Sequence, residues 1–189
     1  MAFILDRRSD DRERCLPVAC PLFKWPMITI EPPHPTAASS GYSLSKSGLA
    51  RFLNRARAAV GLSGDVHVLL TSDSEIRRLN KAFRRKNEPT DVLSFPTPPE
   101  MSNNIAGDLA ISLDAAARQA ARFGHSLRDE VKVLLLHGTL HLAGFDHEAD
   151  SGEMAAREAE LRHEFGLPTS LIARAHSAKS AKPARRRRA

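Results

Sequence analysis

Two histidines stand four residues apart in His137-Gly138-Thr139-Leu140-His141, and a third, His147, follows six residues later. On a helix, residues at i and i+4 lie one turn apart on the same face, so both imidazoles can reach a single ion. Gly144 lets the chain reverse after such a helix, and His147 can then fold back to offer a third nitrogen. Three neutral imidazoles suit a borderline-soft divalent cation, with one Zn2+ the leading candidate. Three protein ligands leave a fourth position for water, the arrangement of a catalytic zinc site. Asp146, next to His147, is expected to support the ligands from behind or to shape the turn. His34, His67, His125, His163 and His176 share no such spacing and read as ordinary side chains.

The same spacing matches the zinc peptidase pattern H-E-x-x-H-x-x-G-x-x-H. Those enzymes place a glutamate beside the first histidine as general base, whereas this chain has Gly138 there. Glycine cannot take a proton from water, which makes a zinc metallopeptidase the runner-up.

The elements that must position these groups follow from periodicity. Met27-Ile28-Thr29-Ile30-Glu31 alternates as a first strand, and Leu49, Phe52, Leu53, Ala56 and Val60 form the apolar stripe of a helix over residues 44–60. Val66 to Thr71 reads as a strand. Ser72-Asp73-Ser74-Glu75 is a capping-box pattern opening a helix through Ile76, Leu79, Ala82 and Phe83. A turn over Asn87 to Thr90 leads into a short buried strand, Asp91 to Phe95, and a further strand is predicted over Ile105 to Leu113. Asp114 is the expected cap of an alanine-rich helix ending at Gly124, and Ser126 the cap of the most apolar helix, which carries Val133 to Leu136 and stops at Gly144. A last helix is predicted over residues 152–165. The order β-α-β-α-β-β-α-α-α predicts a small α/β (α+β) domain: one mixed sheet packed against helices, with the metal site at the end of a buried helix.

Charge and composition bound the class. The 189 residues include 28 basic and 22 acidic ones and 42% hydrophobic residues, enough for one domain with a sizeable core. Seven of the positive charges (Arg174, Lys179, Lys182 and Arg185 to Arg188) fall in residues 173–189, which hold no acid; the remainder is nearly neutral, with 21 basic against 22 acidic residues. Residues 173–189 read as a basic disordered tail, either attracted to nucleic acid or a solubilising terminus with no fixed partner. Residues 1–26, with Pro17, Pro21 and Pro26, read as an N-terminal extension, or as sequence upstream of a translation start at Met27. Cys15 and Cys20 lie in that segment and form neither a disulfide framework nor a good zinc site. No membrane-length apolar run and no secretory signal appear, so a cytoplasmic protein without membrane association is expected.

A second basic cluster comprises Arg77, Arg78, Lys81, Arg84, Arg85 and Lys86, with no acid between them. Taken alone it reads as a solvated helix face. The segment His137 to His147, HGTLHLAGFDH, resembles the signature H-G-x-L-H-L-x-G-x-D-H of the bacterial YbeY family of ribosomal RNA maturation endoribonucleases. Leu79-Asn80-Lys81-Ala82-Phe83-Arg84, then Pro89-Thr90-Asp91-Val92-Leu93-Ser94-Phe95-Pro96 and Gly107-Asp108, resemble its other blocks in the same order, over about residues 27–168. The resemblance implies a single-strand-specific endoribonuclease domain over residues 27–172, acting in maturation of the small-subunit ribosomal RNA 3′ end and in ribosome quality control. It implies one zinc ion on His137, His141 and His147, an arginine important for activity at Arg84, and ribosomal particles as partners, with any ribosomal-protein or GTPase helpers unspecified. On that reading the Arg84 fork positions a phosphate, while Arg85 and Lys86 track the RNA backbone. With one Trp, one Tyr and eight Phe in the chain, backbone and shape recognition is expected over reading of base sequence. Besides the peptidase, a non-catalytic zinc-containing ribosome assembly factor is a further reading of the pattern.

Overall fold

The computed structural model describes residues 27–30, 44–98, 100 and 104–168. The expectations for residues 1–26, with both cysteines, for His34 and His176, and for the tail 173–189 lie outside the described residues.

Among the described residues, four strands and five helices follow the predicted order. β1 is Ile28–Ile30, α1 Lys46–Ala59, β2 Asp65–Thr71, α2 Asp73–Arg84, β3 Val92–Pro96 and β4 Ile105–Ser112. Three helices follow: α3 Leu113–Phe123, α4 Leu127–Leu142 and α5 Glu153–Glu164. The sheet runs β1-β2-β4-β3, with β1, β2 and β4 parallel and edge strand β3 antiparallel to β4. It is the mixed sheet covered by helices that the element order predicts.

Alternation along each strand decides which face meets which helix. Val66, Val68 and Leu70 of β2, with Leu109 and Ile111 of β4 and Val92 of β3, are buried in the main core, with Leu49 and Leu53 of α1 and Leu134 to Leu136 of α4. On the opposite face Leu93 and Ala110 pack under Ile76 and Leu79 of α2 in a second, smaller cluster. Thirteen of the sixteen residues of α4 are buried, so this helix runs through the interior and every polar group on it must find a partner inside. Thr139 does so by donating to the Leu135 carbonyl at 2.7 Å.

Serine side chains cap the first four helices: Ser45, Ser72, Ser112 and Ser126 each accept from a backbone N–H three residues on. The expected capping role of Asp114 is corrected. The last β2–β4 pair is Thr71 with Ser112, so β4 ends one residue and α3 begins two residues earlier than predicted, and the Ser112 hydroxyl meets Ala115 N. Asp114 lies in the first turn of α3 and accepts instead from Asp73 N at 2.9 Å, joining the N-termini of α2 and α3. The capping box at Ser72 is half formed: Ser72 accepts from Glu75 N, while the Glu75 carboxylate pairs with Arg78. Among the described residues, no helix is long and apolar enough to cross a membrane.

Candidate metal centre

The last two turns of α4 carry His137 and His141, and the segment beyond its end supplies His147. After C-cap Ala143, Gly144 adopts a φ of 92°, a left-handed conformation that glycine reaches at little cost. Gly144 N donates to the His141 carbonyl and Phe145 N to the Leu140 carbonyl, the two bonds of a Schellman ending. The chain thereby turns back on itself and brings His147 over the helix end. The three ring centroids stand 4.8, 5.3 and 5.3 Å apart, and one nitrogen from each ring lies within 4.8 Å of the other two. His137 and His141 are buried and His147 is partly exposed, so the cluster opens towards solvent on the loop side.

The hydrogen bonds fix which nitrogens face inward. His141 Nδ1 lies 2.9 Å from the Phe145 carbonyl oxygen, which can only accept, so Nδ1 carries the proton. His137 Nδ1 lies 3.1 Å from Glu158 Oε1 on α5 and donates to that carboxylate. With both rings neutral, the two Nε2 atoms are the lone-pair nitrogens, and they face each other at 3.2 Å. Two lone pairs held that close repel unless a cation lies between them. Two nitrogens bound at about 2.1 Å to one tetrahedral ion would stand about 3.4 Å apart, close to what is observed. Burial, reinforced by the neighbouring His137 and His147, pushes the His141 pKa down to about 3, and burial likewise lowers that of His147. Both rings are thus neutral near pH 7, the form that ligates. The second Glu158 oxygen is buried without a hydrogen-bond partner, leaving negative charge that a divalent ion would offset. The donor set fits a borderline divalent cation.

Glu158 escaped the sequence reading, and a signal for it exists. Met154, Glu158 and Leu161 form one buried stripe on α5, so an acid stands where the period demands an apolar residue. Asp146, expected either behind the ligands or in the turn, shapes the loop: its carboxylate accepts from Glu148 N at 3.0 Å, and its charge bears on His147. Replacing Glu158 by glutamine is expected to weaken metal binding by about 10–100-fold. Metal-free protein should melt no lower, because a neutral amide is cheaper to bury than a carboxylate. Chelator competition and thermal melting, run on the same preparations, check both halves.

Gly138 shows why the peptidase glutamate has no place here. A Cβ at this position would stand 2.7 Å from Leu109 Cδ2 and 3.4 Å from Ser94 Oγ, because α4 rests directly on β4 and β3. A carboxylate side chain there would enter the core between helix and sheet, not the cluster.

The other sequence-selected residues separate into two groups. Arg84, the last residue of α2, is partly buried; desolvation lowers its pKa, and Glu148, one residue beyond His147, offsets the shift. The end of α2 thus borders the loop that carries the third histidine. Arg85 caps α2 in a left-handed conformation (φ 59°) usually left to glycine, and it and Lys86 are exposed. Asp91 and Asp108 do structural work. Asp91 accepts from Val92 N at 2.9 Å and Gln119 Nε2 at 3.1 Å, tying the start of β3 to α3. Asp108 pairs with His67 at 3.2 Å across β4 and β2, and that bond raises the His67 pKa. His125 pairs with buried Glu130 on α4. His163 lies exposed in the last turn of α5.

A family model described as endoribonuclease YbeY matches residues 42–166. A relative from Koribacter versatilis named endoribonuclease YbeY is 52% identical over 145 residues, covering 77% of this chain and 92% of its own. One of the same name from Solibacter usitatus is 46% identical over 135 residues, covering 71% and 89%. Among solved structures, a solution structure from Thermotoga maritima aligns with 27% identity and a TM-score of 0.48, covering 86% of this chain and all of that one.

Proposed function

The chain belongs to the YbeY endoribonuclease family, and from that premise we propose that it is a zinc-dependent endoribonuclease that cuts single-stranded RNA. Its place would be the cytoplasm, its substrate the small-subunit ribosomal RNA near the 3′ end, presented by ribosomal particles during maturation and quality control. Residues 27–172 form the catalytic domain on this reading, residues 1–26 an extension, and residues 173–189 a basic arm.

The single observation that carries metal dependence is the convergence of three imidazoles, with the Nε2 atoms of His137 and His141 facing each other at 3.2 Å and His147 beside them. His137, His141 and His147 would hold a cation there, and its chemistry would be Lewis acidity towards a phosphate. The protein's own groups do the rest. Glu158 and the Phe145 carbonyl hold two rings in one tautomer, so their lone pairs are aimed before any ion arrives. Arg84 presents two N–H groups to a phosphoryl oxygen pair and offsets the charge that builds on it. Arg85 and Lys86 attract the phosphates on either side. Among the described residues the histidine cluster has no fourth protein ligand, which favours chemistry over a purely structural ion.

Chelation tests this reading. Cleavage of a single-stranded RNA should stop in EDTA and return on adding zinc, while a duplex of the same sequence stays intact. Cleavage that persists in chelator would defeat the proposal. The product ends identify the attacking group, since a 2′,3′-cyclic phosphate requires the RNA 2′-hydroxyl. Deleting residues 173–189 should weaken ribosome or RNA binding and flatten its salt dependence. On a single strand the logarithmic slope should fall by about 0.7 for each phosphate that the arm no longer neutralises. Titrations at several salt concentrations measure that slope, and an unchanged one removes the arm from the binding surface.

A further inference from the structure

We propose that Phe83 is a stacking platform for a nucleobase of the RNA strand, beside the nucleotide engaged at the histidine centre; this rests on the RNA-cleaving reading above. Among the described residues two large apolar side chains are exposed, Phe83 and Phe123, each at 42%. They differ in what surrounds them. Phe123 has its ring parallel to His125, 13° between planes at 6.5 Å, and the Arg122 guanidinium 5.4 Å from its centroid. Phe83 is held by an edge-to-face contact, its centroid 5.3 Å from that of Phe95 with 73° between planes. That contact steadies the ring at the border of the smaller core cluster, which Phe95 joins, and leaves it outside.

Its surroundings match a single strand. Phe83 immediately precedes Arg84, Arg85 and Lys86, the last two exposed, and Lys81 is exposed two residues before it. Arg84, the residue after Phe83, lies close enough to Glu148 on the histidine loop to feel its charge, so this end of α2 borders the centre. A rigid aromatic set among exposed cations is the combination by which single-stranded nucleic acid is held without sequence preference: the bases stack and the phosphates meet the charges. A stacked base is accepted whatever its identity, in keeping with a chain poor in aromatic groups for reading sequence.

The full-length protein tests this with a short single-stranded RNA carrying 2-aminopurine, read in stopped flow before turnover. Phe83→Leu should weaken binding about tenfold and lose the stacking quench, with the salt slope unchanged. Phe83→Trp should retain both, and Phe123→Leu should bind like wild type. An abasic phosphodiester strand of equal length should bind wild type and Phe83→Leu equally. Wild-type affinity in Phe83→Leu overturns the platform; so does a reduced salt slope, or discrimination that survives on the abasic strand. If the platform fails while wild type still cleaves RNA, the nuclease reading stands alone. A base-dependent quench without cleavage sinks the nuclease reading and keeps the platform.

Discussion

Replacing His141 with alanine is expected to abolish metal binding and RNA cleavage together, bringing activity to the level of the chelated wild type. His141 is 1% exposed, and its Nε2 is one half of the facing lone-pair pair. Its Nδ1 also anchors the Phe145 carbonyl, so the same ring holds the loop that brings His147 into place. Two of the three donors are thus disturbed by one change. Because His141 is buried, the variant can also lose stability through an unfilled cavity, and melting curves must accompany the metal analysis. His147→Ala separates the two effects. His147 is partly exposed on a loop, so its loss should spare the fold while still removing metal and cleavage. Retention of a full equivalent of zinc by both variants, measured by elemental analysis, would refute the three-histidine site. Both proteins should be purified beside the wild type, since a contaminating nuclease would survive in every preparation.

Arg84→Ala is expected to keep the metal and the fold and to lower cleavage by about 10²–10³-fold, the usual effect of deleting one group that offsets transition-state charge. Arg84 stands in the last turn of α2, where a cation is favoured by the helix dipole. If that were its whole role, alanine would cost less than about 1 kcal/mol of stability and leave the chemistry alone. The paired measurement decides between these roles: single-turnover cleavage rate at saturating RNA, and zinc content. Arg84→Lys adds a further readout. Lysine restores the charge but not the planar two-point fork, so only a small part of the rate should return. Unchanged cleavage in Arg84→Ala would reduce this residue to a helix-end cation and move phosphate binding to Arg85 and Lys86.

Several elements are legible in the amino-acid sequence alone. The i, i+4 spacing of His137 and His141 depends only on helix geometry, and α4 is helical because Val131 to Leu136 gives it a core to enter. Gly144 marked the stop because a left-handed residue was needed there. The misplaced cap of α3 has a tertiary cause. Local propensity favours Asp114 and Ser112 alike, and the choice between them is made by how far β4 pairs with β2, a contact between segments about forty residues apart.

By itself, the sequence determined the kind of elements, their order, and which three side chains one helix end and its returning loop could bring together. All of these depend on interactions within a few residues. Only the tertiary structure decided the strand order, with β4 inserted between β2 and β3, since pairing partners are chosen by the burial of whole faces. It also decided that Glu158, twenty-one residues from His137, orients that ring. The packing of α4 against Leu109 left Gly138 no room for a side chain, and the edge contact with Phe95 kept Phe83 at the surface. The physical reason is the same in each case. A contact between distant segments exists only once the core has closed, and no local periodicity records it.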